Sequence, residues 1–172
     1  MSRILIVVDM QNDFIDGSLG TAEAVAALPN VVKKINNFSG EIYCTLDTHS
    51  SDYLQTSEGR HLPVVHCVRG TWGWQLNEEI AAAVGEKAEI IEKPTFGSVE
   101  LAHILAAKAD EIEEIELVGL CTDICVVSNA LLLKAIMPEK TIRVDSSCCA
   151  GVSAESHEAA LQTMRMCQIE VE

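Results

Sequence analysis

Apolar and polar positions along this chain fall into two alternating patterns. Short β-branched runs that end on a charged side chain are separated by stretches in which apolar residues recur every three or four positions. Arg3 to Val8 is a continuous run stopping at Asp9, the pattern of a central parallel strand buried on both faces. Ala22 to Phe38 predicts a helix, broken or re-entered near Pro29, with Val31, Val32 and Ile35 spaced to face a sheet. Glu41 to Leu46 predicts a second strand ending on Asp47, Gln75 to Val84 a helix, and Ala88 to Glu92 a third strand ending at Lys93-Pro94, where the proline biases Lys93 towards an extended backbone. Ser98 to Ala107 predicts an amphipathic helix, Glu113 to Val118 the fourth strand, Asp123 to Ile136 a helix and Lys140 to Val144 the fifth strand. Ser153 to Cys167 predicts a last helix capped by Ser153, and Gln168 to Glu172 a terminal strand. Six strands alternating with helices imply an α/β fold, a three-layer α/β/α arrangement around a six-stranded parallel sheet. Ser50 to Gly73 is long, polar and aromatic with no predicted element, and connections of that length are usually functional.

The 172 residues are expected to form one domain, residues 1–172. A formal net charge of −14, from 26 acidic against 12 basic residues, argues against nucleic acid or an anionic membrane as partner, because neutralising phosphates needs clustered Lys and Arg. No apolar run reaches the length of a membrane span. Seven cysteines without regular spacing and no signal-peptide pattern after Met1-Ser2-Arg3 point to a reducing, cytoplasmic setting.

In open parallel sheets ligands bind beyond the carboxyl ends of the strands. Asp9, Asp47, Lys93 and Cys125 all fall there. Cys125 follows Gly119, where the backbone can turn sharply, with Thr122 or Asp123 as N-cap, which places it in a helix's first turn. A thiol there is expected to ionise more easily than one in a strand, and a neighbouring lysine would lower its pKa further. Taken alone, the stretch reads more readily as a small apolar residue packing a helix on a sheet. Acid, base and thiol together are harder to dismiss, because a carboxylate can take the thiol proton and later deliver it to a leaving amine.

Three segments carry a specific resemblance: Val7 to Phe14 (VVDMQNDF), Glu92 to Ser98 (EKPTFGS) and Gly119 to Val126 (GLCTDICV). In order and separation they resemble the signature segments of the isochorismatase-like cysteine hydrolases, a superfamily that includes nicotinamidases. The resemblance implies Asp9 as proton shuttle, Lys93 as electrostatic partner and Cys125 as nucleophile. It also implies a non-proline cis peptide between Leu120 and Cys121, an oxyanion hole from the backbone N–H groups of Cys121 and Cys125, and substrate contacts at Phe14 and Leu120. Cys121 stands where the family usually has alanine.

Asp47-Thr48-His49 with a later His66 supplies an oxygen and two imidazoles, a ligand set for Zn²⁺, Fe²⁺ or Mn²⁺. The spacing is weak by itself, but it resembles the metal site of nicotinamidases, whose metal binds the pyridine nitrogen. Glu58 matches the acidic fourth ligand of some of them, and zinc is the first expectation. His61 reads equally as ligand, rim or surface, whereas His103 and His157 lie in helices and read as structural or exposed. Leu62-Pro63-Val64-Val65-His66 lacks the aromatic that nicotinamidases often carry there, so the ring-stacking wall is expected to differ. Trp72 and Trp74 cluster near the loop, which favours a pocket role over packing. Cys148 and Cys149 read as loop residues lining the far side of the pocket or as packing.

The expected activity is a metal-assisted cysteine amidohydrolase that converts nicotinamide to nicotinate and ammonia through a Cys125 thioester. The alternatives are hydrolysis of another small amide or carbamoyl compound, or a catalytically idle scaffold domain. The resemblance also implies a homo-oligomer, a dimer or larger.

Overall fold

The computed structural model describes all 172 residues. The chain runs β1 (Ser2–Val8), α1 (Asn12–Ile15), α2 (Ala22–Asn37), β2 (Glu41–Asp47), α3 (Ser57–His61), α4 (Glu78–Val84), β3 (Ala88–Lys93), α5 (Val99–Ala107), β4 (Ile112–Leu120), α6 (Val127–Ile136), β5 (Thr141–Ala150), α7 (Ala154–Met166) and β6 (Glu170–Val171). The six strands form one parallel sheet in the order β3-β2-β1-β4-β5-β6. Helices α1, α2 and α4 cover one face and α5, α6 and α7 the other, each over its own apolar core. Burial of Ile4 to Val8 on both faces explains their unbroken β-branched run. No helix is long and apolar enough to cross a membrane.

Strand order reverses between β1 and β4, so a crevice opens beyond their carboxyl ends. Gly119 makes the close pairing there possible. Its φ is +117°, and a Cβ added at that position would lie 2.1 Å from the Val8 carbonyl oxygen. Gly119→Ala therefore costs roughly 3 kcal/mol or more, from a forbidden backbone conformation plus displacement of β1. Urea unfolding checks this, and a loss under about 1 kcal/mol would contradict it.

Several elements differ from those the sequence predicts. Helix α2 is unbroken, with Pro29 inside it and Thr21 accepting from Ala24 N as its cap. The proline removes the bond to the Val25 carbonyl, but Val25 is exposed on the outer face of the helix, where water can satisfy that group. Helix α4 starts at Glu78 rather than Gln75, because the Asn77 side chain caps it and Leu76 is drawn into a bridge with Gln11. The 50–73 stretch holds a 3₁₀ turn, Tyr53–Gln55, and α3. Strand β5 continues to Ala150, which places Cys148 in one core and Cys149 in the other. Both are packing residues and neither lines the pocket. The terminal strand is reduced to Glu170–Val171.

Candidate active site

Four strand ends deliver the charged and nucleophilic groups to the crevice. Asp9 follows β1 in the left-handed region, φ +47°, with its N–H donating to Thr45 O at 3.2 Å and its Oδ1 accepting from Thr45 Oγ1 at 2.6 Å. Lys93, the last residue of β3, reaches under the site. Its Nζ lies 2.7 Å from Asp9 Oδ2, 3.4 Å from Cys125 Sγ and 3.7 Å from Asp47 Oδ1, and donates to Thr95 O at 3.0 Å. Asp9 Oδ2 accepts no hydrogen bond of ordinary geometry, so its neighbour of opposite charge is that ammonium alone. Lys93 and Asp9 are buried together, which is tolerable only because each neutralises the other.

These contacts set the proton affinities. Burial would lower Lys93, but the surrounding Asp9, Cys125 and Asp47 groups outweigh it and hold the ammonium charged. Burial raises the Asp9 carboxyl above the ordinary carboxylate value, Asp47 adds to this, and Lys93 and Thr45 oppose it. Burial also pushes the Cys125 thiol well above its usual value, Asp9 adds to that, and Lys93 opposes it. The expectation of an easily ionised thiol is therefore not met. Burial is the main cause, and the turn does not offset it: residues Thr122–Val126 form a wide π turn, in which the Ile124 and Val126 N–H groups both donate to Cys121 O. Neither expected N-cap forms, since Thr122 Oγ1 bonds His157 Nδ1 at 2.8 Å and the Asp123 carboxylate accepts from Val152 N. Desolvation then outweighs both turn and lysine. The Leu120–Cys121 peptide is cis, as the resemblance implies.

Asp47, His49, Glu58 and His66 form a second cluster whose ligand atoms all lie within 4.8 Å of one another. Asp47 Oδ2 is 2.9 Å from His49 Nε2 and 3.4 Å from His66 Nε2, and Glu58 Oε1 is 3.6 Å from each of those nitrogens. His66 Nδ1 donates to Val64 O at 2.7 Å, which leaves Nε2 turned into the cluster. Ligands about 2.1 Å from a tetrahedral ion sit about 3.4 Å apart, so this group fits a small divalent cation with little adjustment. Burial raises the Glu58 carboxyl and Asp47 adds to it. Burial would raise Asp47 too, but hydrogen bonds from His49 and His66 and the Lys93 charge hold it well below the carboxylate range. His61 is outside the cluster, exposed and bonded through Nδ1 to Ser57 O.

Cys125 from the first cluster and Asp47, Glu58 and His66 from the second line one cavity of about 190 Å³, whose other walls are mainly Phe14, Leu19, Leu62, Phe96, Cys121 and Ile124. Of the two residues expected to contact substrate, Phe14 lines this cavity and Leu120 does not. Leu120 is fully buried beneath the cavity, because the period-two alternation of β4 turns it into the α2 core. The tryptophans are absent from the wall as well. Trp72 is exposed, and Trp74 spends its Nε1–H on Thr48 Oγ1 at 2.9 Å. Phe96 and Leu62 supply that side instead. Sequence reasoning also passed over Tyr53. This buried ring stacks edge-on with His49 and His66 at centroid distances of 4.7 and 4.9 Å, while its hydroxyl donates to Leu62 O. An aromatic four residues after the first histidine was the available signal.

The family model for the isochorismatase domain matches residues 3–172. The chain belongs to that family. It is 27% identical, over 98% of this chain and 97% of the relative, to the nicotinamidase/pyrazinamidase of Mycobacterium tuberculosis. Among solved structures of the same fold, a nicotinamidase/pyrazinamidase from Bacillus subtilis superposes with a TM-score of 0.86 at 26% identity, covering 99% of both chains. A pyrazinamidase of Pyrococcus horikoshii in complex with zinc superposes with a TM-score of 0.81 at 28% identity, covering 100% of this chain and 99% of the other.

Proposed function

We propose that this protein, an amidohydrolase by its relatives, deamidates nicotinamide to nicotinate and ammonia through a thioester on Cys125. One observation carries the reading: the metal-ligand cluster and the thiol open into the same small, largely apolar cavity, so a flat heteroaromatic amide held by its ring nitrogen at the cluster presents its carbonyl to the thiol. Asp47, His49, His66 and Glu58 hold a divalent ion, zinc being favoured by the ligand set and by the zinc-bound relative. That ion supplies a Lewis-acidic point of attachment for a ring nitrogen.

The chain's own groups carry the chemistry. Asp9 takes the proton of Cys125 as sulfur attacks the carbonyl carbon, and the Lys93 ammonium stabilises the emerging thiolate. The backbone N–H groups of Cys121 and Cys125 receive the developing oxyanion. Asp9 then protonates the departing nitrogen, ammonia leaves, and the carboxylate so regenerated activates the water that cleaves the thioester. A carboxyl raised above its ordinary value by burial suits both duties. Ammonia release from nicotinamide, measured beside a panel of small amides, tests the proposal; equal turnover of amides with no ring nitrogen would refute it.

Because Lys93 is the group that opposes the upward displacement of the thiol, its removal moves that displacement further up. Lys93→Met is expected to shift the pH profile of Cys125 alkylation to higher pH and to cut the rate at pH 8 by roughly tenfold or more, which is one pKa unit. Asp9→Asn is expected to slow acylation severely and, by leaving the buried ammonium without its partner, to cost stability as well. An unchanged alkylation profile in Lys93→Met would remove the role given to that side chain.

A further inference from the structure

Two side-chain amides stand next to the reacting groups, and both are buried: Gln11 is 0% and Asn129 2% exposed. Buried amides cost free energy unless every donor and acceptor is used, and these two use theirs on main-chain groups. Gln11 Oε1 accepts from Asp47 N at 2.8 Å, and its Nε2 donates to Asp47 O and Trp74 O, each at 2.8 Å. This two-way bond to one residue's N–H and C=O prolongs the sheet past Val8, where β1 itself has ended. Asn129 Oδ1 accepts from Ser98 N at 2.9 Å, while its Nδ2 donates to Cys125 O at 2.8 Å and Phe96 O at 3.1 Å. Reversing either amide would set donor against donor and acceptor against acceptor.

The residues they grip lie in different halves of the site. Asp47 directs one carboxylate oxygen at His49 and His66 and the other towards Lys93, so its main chain fixes the geometry of the metal ligands. Asn129 ties the thiol-bearing turn to residues 96–98, the segment that leaves the Lys93 strand. We propose that Gln11 and Asn129 are positioning residues that divide the site between them: Gln11 sets the metal-ligand half through Asp47, and Asn129 sets the thiol against the segment that follows the lysine-bearing strand. The assignment rests on reading Asp47 as a metal ligand and Cys125 as the nucleophile. Neither amide lines the cavity.

The test uses the two isosteric acids and two readouts that need no substrate. Gln11→Glu and Asn129→Asp each keep the accepting oxygen and lose both donated bonds; Gln11→Met and Asn129→Leu repeat the loss without adding charge and serve if an acid variant fails to fold. Mn²⁺ affinity is measured by calorimetry on chelator-stripped protein, and the iodoacetamide alkylation rate at Cys125 by mass spectrometry on the same metal-free samples. Gln11 variants are expected to bind Mn²⁺ ten- to a hundredfold more weakly, the usual effect of losing a partner of a metal ligand, with alkylation within about threefold of wild type. Asn129 variants are expected to do the opposite, changing alkylation at least tenfold with Mn²⁺ affinity within about threefold, because a displacement of about 1 Å is costly for a reacting atom. Folded variants that move both readouts in parallel, as a general loosening would, or move neither, overturn the proposal while leaving the proposed activity intact. Wild-type protein that binds no Mn²⁺ overturns Gln11's part together with the metal reading.

Discussion

Cys125→Ala is expected to lower nicotinamide hydrolysis by roughly 10⁴-fold or more, whereas Cys121→Ala keeps most of it. Both thiols line the cavity, so proximity to substrate does not separate them. Their surroundings do. The Cys125 sulfur lies 3.4 Å from the Lys93 ammonium and within reach of Asp9 as proton acceptor. The Cys121 thiol lacks such a pairing and is pushed up to about 12 by burial, with Asp123 and Asp9 adding to the effect. Cys121 enters the proposed chemistry only through its backbone N–H, which alanine retains. Steady-state ammonia release from the two variants decides the matter, and a dead Cys121→Ala beside an active Cys125→Ala would reverse the assignment.

Stripping the metal, or replacing His49 by alanine, is expected to lower nicotinamide turnover by on the order of a hundredfold while Cys125 is still alkylated. Asp47, His49, Glu58 and His66 form a cluster separate from the Asp9–Lys93–Cys125 contacts, so loss of the ion or of His49 takes away the grip on the ring and leaves those contacts standing. Misplacing a carbonyl by about 1 Å is enough for a hundredfold loss. Added Zn²⁺, Fe²⁺ or Mn²⁺ should restore the stripped wild type but not His49→Ala, where two carboxylates and one imidazole remain. Benzamide, matched in shape but without the ring nitrogen, should be a poor substrate throughout. Protein that carries no metal, binds none, and hydrolyses a non-pyridine amide equally well after chelation would leave a cysteine hydrolase of another amide as the surviving reading.

The elements that sequence determined are those governed by periodicity and strand-end chemistry. Arg3 to Val8 could only be a strand buried on both faces, because every residue from Ile4 onward is apolar and β-branched or leucine, and the charge that ends it had to emerge where ligands bind. The same logic found Asp47, Lys93 and Cys125, and the structure brings Asp9, Lys93 and Cys125 into contact. Local patterns could not report what depends on neighbours distant in the chain. The ionisation of Cys125 turned on desolvation by burial and on Asp9, 116 positions away in sequence, rather than on its own turn. Leu120 went under the pocket because the pleat of β4 fixes which face each residue takes, and Phe96 replaced the tryptophans because the turn after β3 faces the crevice. Gln11 and Asn129 carry no signal of their own, since an amide becomes a clamp only where folding buries it against main-chain groups that have lost their water. Sequence therefore decided which groups stand at the ends of the strands, and tertiary burial decided their charge, their partners and which of them face the same cavity.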